Sequence, residues 1–364
     1  MTRLFGSNAD RTKAVATLAL LSVLPLYVMQ TGGTYRARLL ELFLAFALLG
    51  MALNIVFAHT DQLFLFVGAL TGISTYTTVY LVDATGVTVW ALFPVGVLVA
   101  GLVGVFVSYL AARLEMSIIV IAILTLSLQL AAEEFFEGAR DVTGGTTGLR
   151  FPGLDLPPVE AALGFPSRIV NYYLLLLLLA GTFVLYSRMI RTRYGLAFDA
   201  IRQDRVAAES VGIDVMRYKM IAGFTAAVLI GLVGPLYATA QGRVTPTNFA
   251  FQSVDVTVLI VLVLGGMRTM LGPLVGAGLV IVINEQIGMS SRDSKRSPAG
   301  TIWWPSRAGS VIGSGDLSEV STPVCVSCQS TETARRDSGQ CQDSPSAVSW
   351  PEQRELGRHG LREF

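Results

Sequence analysis

The side chains of this chain that could act on a solute are polar groups set inside apolar runs. Asn54, Thr75, Thr125 and Gln129 each sit among aliphatic and aromatic neighbours. An amide or hydroxyl held there can exchange hydrogen bonds with a polar solute that has left water, so these four are the candidate lining of a path through lipid. Thr71, Thr75 and Thr78 share one helical face, as do Thr125 and Gln129. The threonines, with Gly68, Gly72, Gly101 and Gly104, also suit close helix packing, and for them both readings stay open. Asn54 and Gln129 are better lining candidates, because packing helices closely needs small residues, not bulky amides. Asn284 and Glu285 fall near the end of the last apolar run.

No catalytic residue is expected. A phosphate-binding loop needs a glycine-rich turn ending in Gly-Lys-Ser/Thr, and the only lysines are Lys13, Lys219 and Lys295, none in that setting. The energy source must therefore be elsewhere. A Ser/His/Asp set has no place in the apolar part, whose single histidine is His59. No metal site is expected either: Cys325-Val-Ser-Cys328 with Cys341 offers three sulfurs where a structural zinc site wants four ligands. Redox chemistry is excluded from residues 1–288, which hold no cysteine.

These groups need a scaffold that crosses a membrane. Hydrophobic residues make up 52% of the 364, the mean hydropathy is +0.58, and several runs approach the ~20 residues that cross about 30 Å of hydrocarbon. The fold class is all-α, a polytopic bundle of about 8–9 transmembrane helices with a disordered C-terminal tail. Apolar runs at 14–29, 39–58, 63–82, 88–110, 118–132, 169–190, 220–240, 254–267 and 271–287 mark the spans. Residues 1–288 form the transmembrane domain. From 289 to 364 the chain carries nine basic and nine acidic residues and no apolar periodicity, a composition that cannot bury a core. That tail is expected to be extended, and an altered reading frame is its preferred origin over an appended domain.

Between two runs lies a charged island, Arg193 to Lys219. On a helical wheel Leu196, Ala197, Ala200, Ile201, Ala207, Ala208 and Val211 fall within an arc of about 140°, opposite Asp199, Arg202, Gln203, Arg205, Glu209 and Ser210. Only Asp204 interrupts the arc. The pattern reads as one amphipathic helix over 196–212, with Gly195 as N-cap, Gly212 as the terminating glycine and Asp214 capping the helix that follows. A soluble partner covering its apolar face is favoured over lipid, since Asp204 would be costly in lipid. Seven basic residues in 188–219, against six acids and three arginines in 133–168, place the island in the cytoplasm and the acidic loop outside. Arg36 and Arg38 are left outside by this topology.

Several stretches in order resemble the membrane subunits of branched-chain amino acid ABC transporters: Thr143-Gly-Gly-Thr-Thr-Gly-Leu149, Tyr194-Gly-Leu-Ala-Phe-Asp-Ala-Ile-Arg202, Ala207-Ala208-Glu209-Ser-Val-Gly212, Gly265-Gly266 and Leu271-Gly-Pro-Leu-Val-Gly-Ala277. The likeness covers roughly 39–287. It implies a multi-pass permease of the plasma membrane of a bacterium or archaeon, with no cofactor of its own. Its implied partners are two ATP-binding subunits that hydrolyse the ATP, a second homologous permease and an extracytoplasmic substrate-binding protein. ABC permeases meet the ATPase through an E-A-A-x-x-x-G loop, which Val206-Ala207-Ala208-x-x-x-Gly212 matches except at its first residue. The resemblance therefore assigns ATPase coupling to Ala200, Ile201, Ala207, Ala208 and Gly212. Ala58-His-Thr-Asp-Gln-Leu63 departs from the family's glycine-rich turn and keeps only Gln62. Alternative functions are a permease for urea or short amides, which shares this architecture, and an ion-coupled secondary transporter, which should show internal repeats and mid-span acids.

Overall fold

The computed structural model describes residues 16–25, 34–151 and 167–296, and the chain divides into compact units at residue 300, so every described residue lies in the first unit. Its helices are α1 (Ala16–Pro25), α2 (Thr34–Thr60), α3 (Val67–Thr85), α4 (Val89–Arg113), α5 (Ile118–Gly138), the short α6 (Arg140–Thr143) and α7 (Ser167–Arg191). They continue with α8 (Arg193–Gln203), α9 (Arg205–Ser210), α10 (Val215–Gln241), α11 (Asp255–Gly265) and α12 (Gly272–Arg296). Each apolar run of the sequence falls on a helix. The chain is a polytopic helical membrane protein, and α2, α4, α5, α7 and α10 are each long and apolar enough to cross a bilayer.

The bundle is built on α10, which packs against α2, α3 and α4, and on α2, which also packs against α7, α11 and α12. Lipid supplies no hydrophobic force to join helices, so close contact must come from small residues. Gly104 shows how tight the fit is: a Cβ there would lie 2.1 Å from the Cβ of Ala227. The same holds where α11 meets α12, since a Cβ on Gly276 would lie 2.0 Å from the carbonyl oxygen of Val261. The Gly265-Gly266 and Leu271-to-Ala277 motifs are thus the packing surface of an antiparallel pair.

Two expectations about boundaries are corrected. The run 63–82 is helical only from Val67, because Asp61 to Phe66 is a non-helical segment with Phe64 and Phe66 fully buried. The domain edge expected at 288 falls inside α12, which runs on to Arg296. Residues 297–364, including Cys325, Cys328 and Cys341, lie outside the described residues.

The contacts sort the loops into two ends. At one end are His59, Glu115, the island and Arg268, joined by the pairs His59 with Tyr186, Arg205 with Glu115, and Arg268 with Ala58. At the other are Arg38, which bonds Gln241, and the 143–149 loop, whose strand β1 (Leu149–Arg150) pairs antiparallel with β2 (Arg243–Val244). Arg38 therefore lies at the end opposite the island, as the topology requires. Gly144, Gly145 and Gly148 all have positive φ, the reason that loop is glycine-rich.

Candidate functional site

The island folds as two helices rather than one. Asp204, the acid that breaks the apolar arc, leaves helical geometry at φ −156° and ψ 117°, and its Oδ1 accepts the backbone N–H groups of Val206 and Ala207 at 2.8 and 3.1 Å. Aspartate caps helix N-termini well, so the residue that looked like a flaw starts α9. Gly195 is not the N-cap: α8 begins at Arg193, and Gly195 lies against the α7 terminus, where a Cβ would stand 2.0 Å from the carbonyl oxygen of Ile190. Gly212 does adopt the left-handed conformation, φ 84°, and Asp214 does cap α10 by accepting the Arg217 N–H at 3.0 Å.

This break resets which side chains face out. Ile201 and Ala208 turn inward and form a small cluster with Val215, while Ala200 packs on its edge. Of the residues expected to couple, only Ala207 and Gly212 are exposed. Leu196, Val206 and Val211 instead stand out, each 75% exposed. Val206, the residue that departs from the E-A-A pattern, is thus an apolar knob on the outer surface of α9.

The elbow is tied to the bundle at two places. His59 at the end of α2 shares a hydrogen bond with the Tyr186 hydroxyl of α7 at 3.0 Å, and its ring stacks on Phe198 of α8. Phe198 in turn meets Tyr218 of α10 edge-on. Arg205 donates to Glu115 in the α4–α5 turn at 2.9 Å and to Glu209 one helical turn on at 3.0 Å. Any displacement of α8 or α9 is therefore felt at the ends of α2, α4, α7 and α10.

Deeper in the bundle, α3 begins inside the protein. Gln129 lies about 16 Å along α5 from Ile118 at ~1.5 Å per residue, near mid-depth. Its Oε1 accepts the Ala69 N–H at 2.6 Å, and its amide donates to the Phe249 carbonyl at 2.8 Å and to Glu133 at 3.0 Å. Asp255, at the start of the short α11, accepts the N–H groups of Val67 at 2.6 Å and Gly68 at 3.1 Å. Thr125 accepts the Leu65 N–H at 3.1 Å. Backbone without helical bonds at membrane depth must find such partners. A helix N-terminus carries partial positive charge, which a carboxylate offsets.

The four expected lining residues are all fully buried and do not gather in one place. Gln129 and Thr125 hold the α3 entrance. Thr75 bonds the Thr71 carbonyl at 2.7 Å within α3. Asn54 grips the α11–α12 turn, accepting the Arg268 N–H at 2.9 Å and donating to the Thr269 carbonyl at 3.2 Å, and so holds Arg268 at its positive φ of 68°. The sequence reading missed Asp255, although a carboxylate opening an apolar run of 11 helical residues is a visible signal. Among the described residues no group of three His, Cys, Asp or Glu is placed to hold a metal ion.

Comparison with known proteins places this sequence among relatives. Residues 35–300 match the family model of the permease component of branched-chain amino acid transport systems. The high-affinity branched-chain amino acid transport system permease protein LivM of Escherichia coli is 28% identical over 301 residues, covering 77% of this chain and 69% of the relative. LivM of Salmonella typhimurium gives the same identity and coverage. The probable branched-chain amino acid transport permease protein LivH of Methanocaldococcus jannaschii is 25% identical over 250 residues, covering 66% of this chain and 76% of the relative. No solved structure gives a significant match.

Proposed function

The chain belongs to the family of permease components of branched-chain amino acid transport systems, and from that premise we propose that it is one membrane subunit of an ABC importer for branched-chain amino acids. It works in the plasma membrane of a bacterium or archaeon beside a second permease, two ATPase subunits and an extracytoplasmic binding protein. The observation that carries the reading is the exposed apolar set Leu196, Val206 and Val211 on an elbow at the basic end of the bundle. Three large apolar side chains presented to water between charged neighbours call for a protein partner. We assign the partner as the ATPase and the contact to this set with Ala207 and Gly212.

In mechanism, ATP-driven closure of the ATPases displaces the elbow. The His59, Tyr186 and Phe198 contacts pass the displacement to α2 and α7, and the Arg205 to Glu115 pair passes it to the α4–α5 turn. Rigid helices then rock about the mid-depth joint where Asp255, Gln129 and Thr125 fasten α3. Asn54, Thr75, Thr125 and Gln129 serve this path by holding its walls. The test is uptake of radiolabelled L-leucine into proteoliposomes holding this chain, its partner subunits and the binding protein. ATP-dependent accumulation supports the reading. Uptake that proceeds without the ATPases on an ion gradient, or uptake of urea with none of leucine, overturns it.

A further inference from the structure

We propose that the end of the bundle opposite the elbow holds a binding site for a zwitterionic α-amino acid, formed by Arg38 and Glu41 of α2 and Asn171 of α7. The proposal rests on the transport reading above and adds where this chain itself would meet the substrate. Glu41 is 1% exposed and Asn171 3% exposed, one to two turns inside helices that begin at Thr34 and Ser167. The Glu41 carboxyl is hydrogen-bonded to the Asn171 side chain and lies within electrostatic reach of Arg38, and one atom of each residue is buried without a hydrogen-bond partner: Glu41 Oε1, Asn171 Oδ1 and Arg38 Nε. Buried polar groups are almost always satisfied, so three orphaned atoms on neighbouring residues call for a missing partner.

The remaining valences define what that ligand is. Arg38 spends another nitrogen on Gln241 of α10, whose amide donates to the Tyr237 hydroxyl at 2.9 Å, so the guanidinium is held in place while its Nε stays free. The Asn171 amide nitrogen donates to the Leu236 carbonyl at 3.4 Å, which leaves its amide oxygen buried and unpaired. What is left is one charged donor and two acceptors, one of them a carboxyl oxygen. An α-carboxylate accepts from a guanidinium, and an α-ammonium donates to a carboxylate and an amide oxygen. Arg168 also lies within electrostatic reach of Glu41.

The competing role is a purely structural clasp joining α2, α7 and α10. The experiment is equilibrium binding of tritiated L-leucine to the purified complex of both permeases and ATPases in nanodiscs, without the binding protein. L-leucinamide, which lacks the carboxylate, and 4-methylpentanoate, which lacks the ammonium, are the competitors. The site predicts that unlabelled L-leucine displaces the tracer and that neither analogue does so at tenfold higher concentration. Glu41→Gln and Asn171→Leu should each weaken binding at least tenfold, with complex assembly unchanged. Displacement by either analogue as effective as by leucine overturns the site, even if no variant folds. Wild-type binding in both variants also overturns it, and so does loss of assembly in step with binding. If the variants import leucine as the wild type does, the site falls and the transport reading stands. If the wild-type complex imports urea and no amino acid, the transport reading itself has failed.

Discussion

His59 at the end of α2 and Phe198 in α8 stack with ring centroids 6.3 Å apart and planes 29° from parallel. His59 also holds the Tyr186 hydroxyl at 3.0 Å, so one side chain joins the α8–α9 elbow to two spans. Replacing it by leucine keeps a buried apolar body but removes the hydrogen bond and the stack. His59→Leu should leave complex assembly and ATPase rate near wild type while lowering leucine transported per ATP several-fold. Measuring uptake and phosphate release in the same proteoliposomes checks this. A fall in both rates with an unchanged ratio would show that His59 only supports the fold.

The two faces of the island should respond differently to the same substitution. Val206→Glu places a charge on an exposed knob and should preserve yield and thermal stability while abolishing recovery of the ATPase with the purified permease. Burying one such side chain contributes about 1.5–3 kcal/mol, so its loss together with a desolvated charge costs at least a hundredfold in affinity. Ala208→Glu drives a carboxylate into the cluster of Ile201 and Val215 and should lower yield of the permease itself. Equal yields for the two variants would contradict the assignment of faces.

Asp204 offers a milder test. Removing the cap in Asp204→Ala orphans the Val206 and Ala207 N–H groups on an exposed surface, a change that costs about 1 kcal/mol. Hydrogen exchange should speed up in Arg205–Ser210 and stay unchanged in α10. Uniform faster exchange across the protein would mean that Asp204 does more than start α9.

Much of this architecture could be read from the residues, and the failures have local causes. The nine apolar runs, the basic island, the Gly212 stop and the Asp214 cap follow from periodicity and from the few residue types able to fill those roles. The break at Asp204 was visible as a residue type, but a wheel drawn at 100° per residue assumes one continuous helix and so misplaced Ala208 and Ile201. Asn54 and Gln129 look like solute-facing groups in a sequence because their partners, the Arg268 turn and the α3 entrance, are brought to them only by long-range packing. Asp255 illustrates the same limit: its charge is plain in the sequence, and the two N–H groups it satisfies are nearly 190 positions away.

The mid-depth joint yields a stability prediction. Asp255→Ala leaves the Val67 and Gly68 N–H groups buried without acceptors, at about 1–3 kcal/mol each. Its unfolding temperature in detergent should fall well below that of Thr75→Val, which removes only a hydroxyl bonded within its own helix. Gln129→Leu should fall between them. If Asp255→Ala unfolds no earlier than Thr75→Val, the N–H groups have found another partner and the joint is not what secures α3.

The central claim is that an ATPase covers the outer surface of the α8–α9 elbow. It is tested most directly by maleimide labelling of single cysteines at Val206 and Ala208, with Cys325, Cys328 and Cys341 changed to serine. In the permease without ATPase, Val206→Cys should label rapidly and Ala208→Cys slowly, as their exposures of 75% and 2% require. Adding the ATPase subunits should slow labelling at Val206→Cys at least tenfold and leave Ala208→Cys unchanged. Labelling at Val206→Cys that is equally fast with and without a bound ATPase would contradict the account.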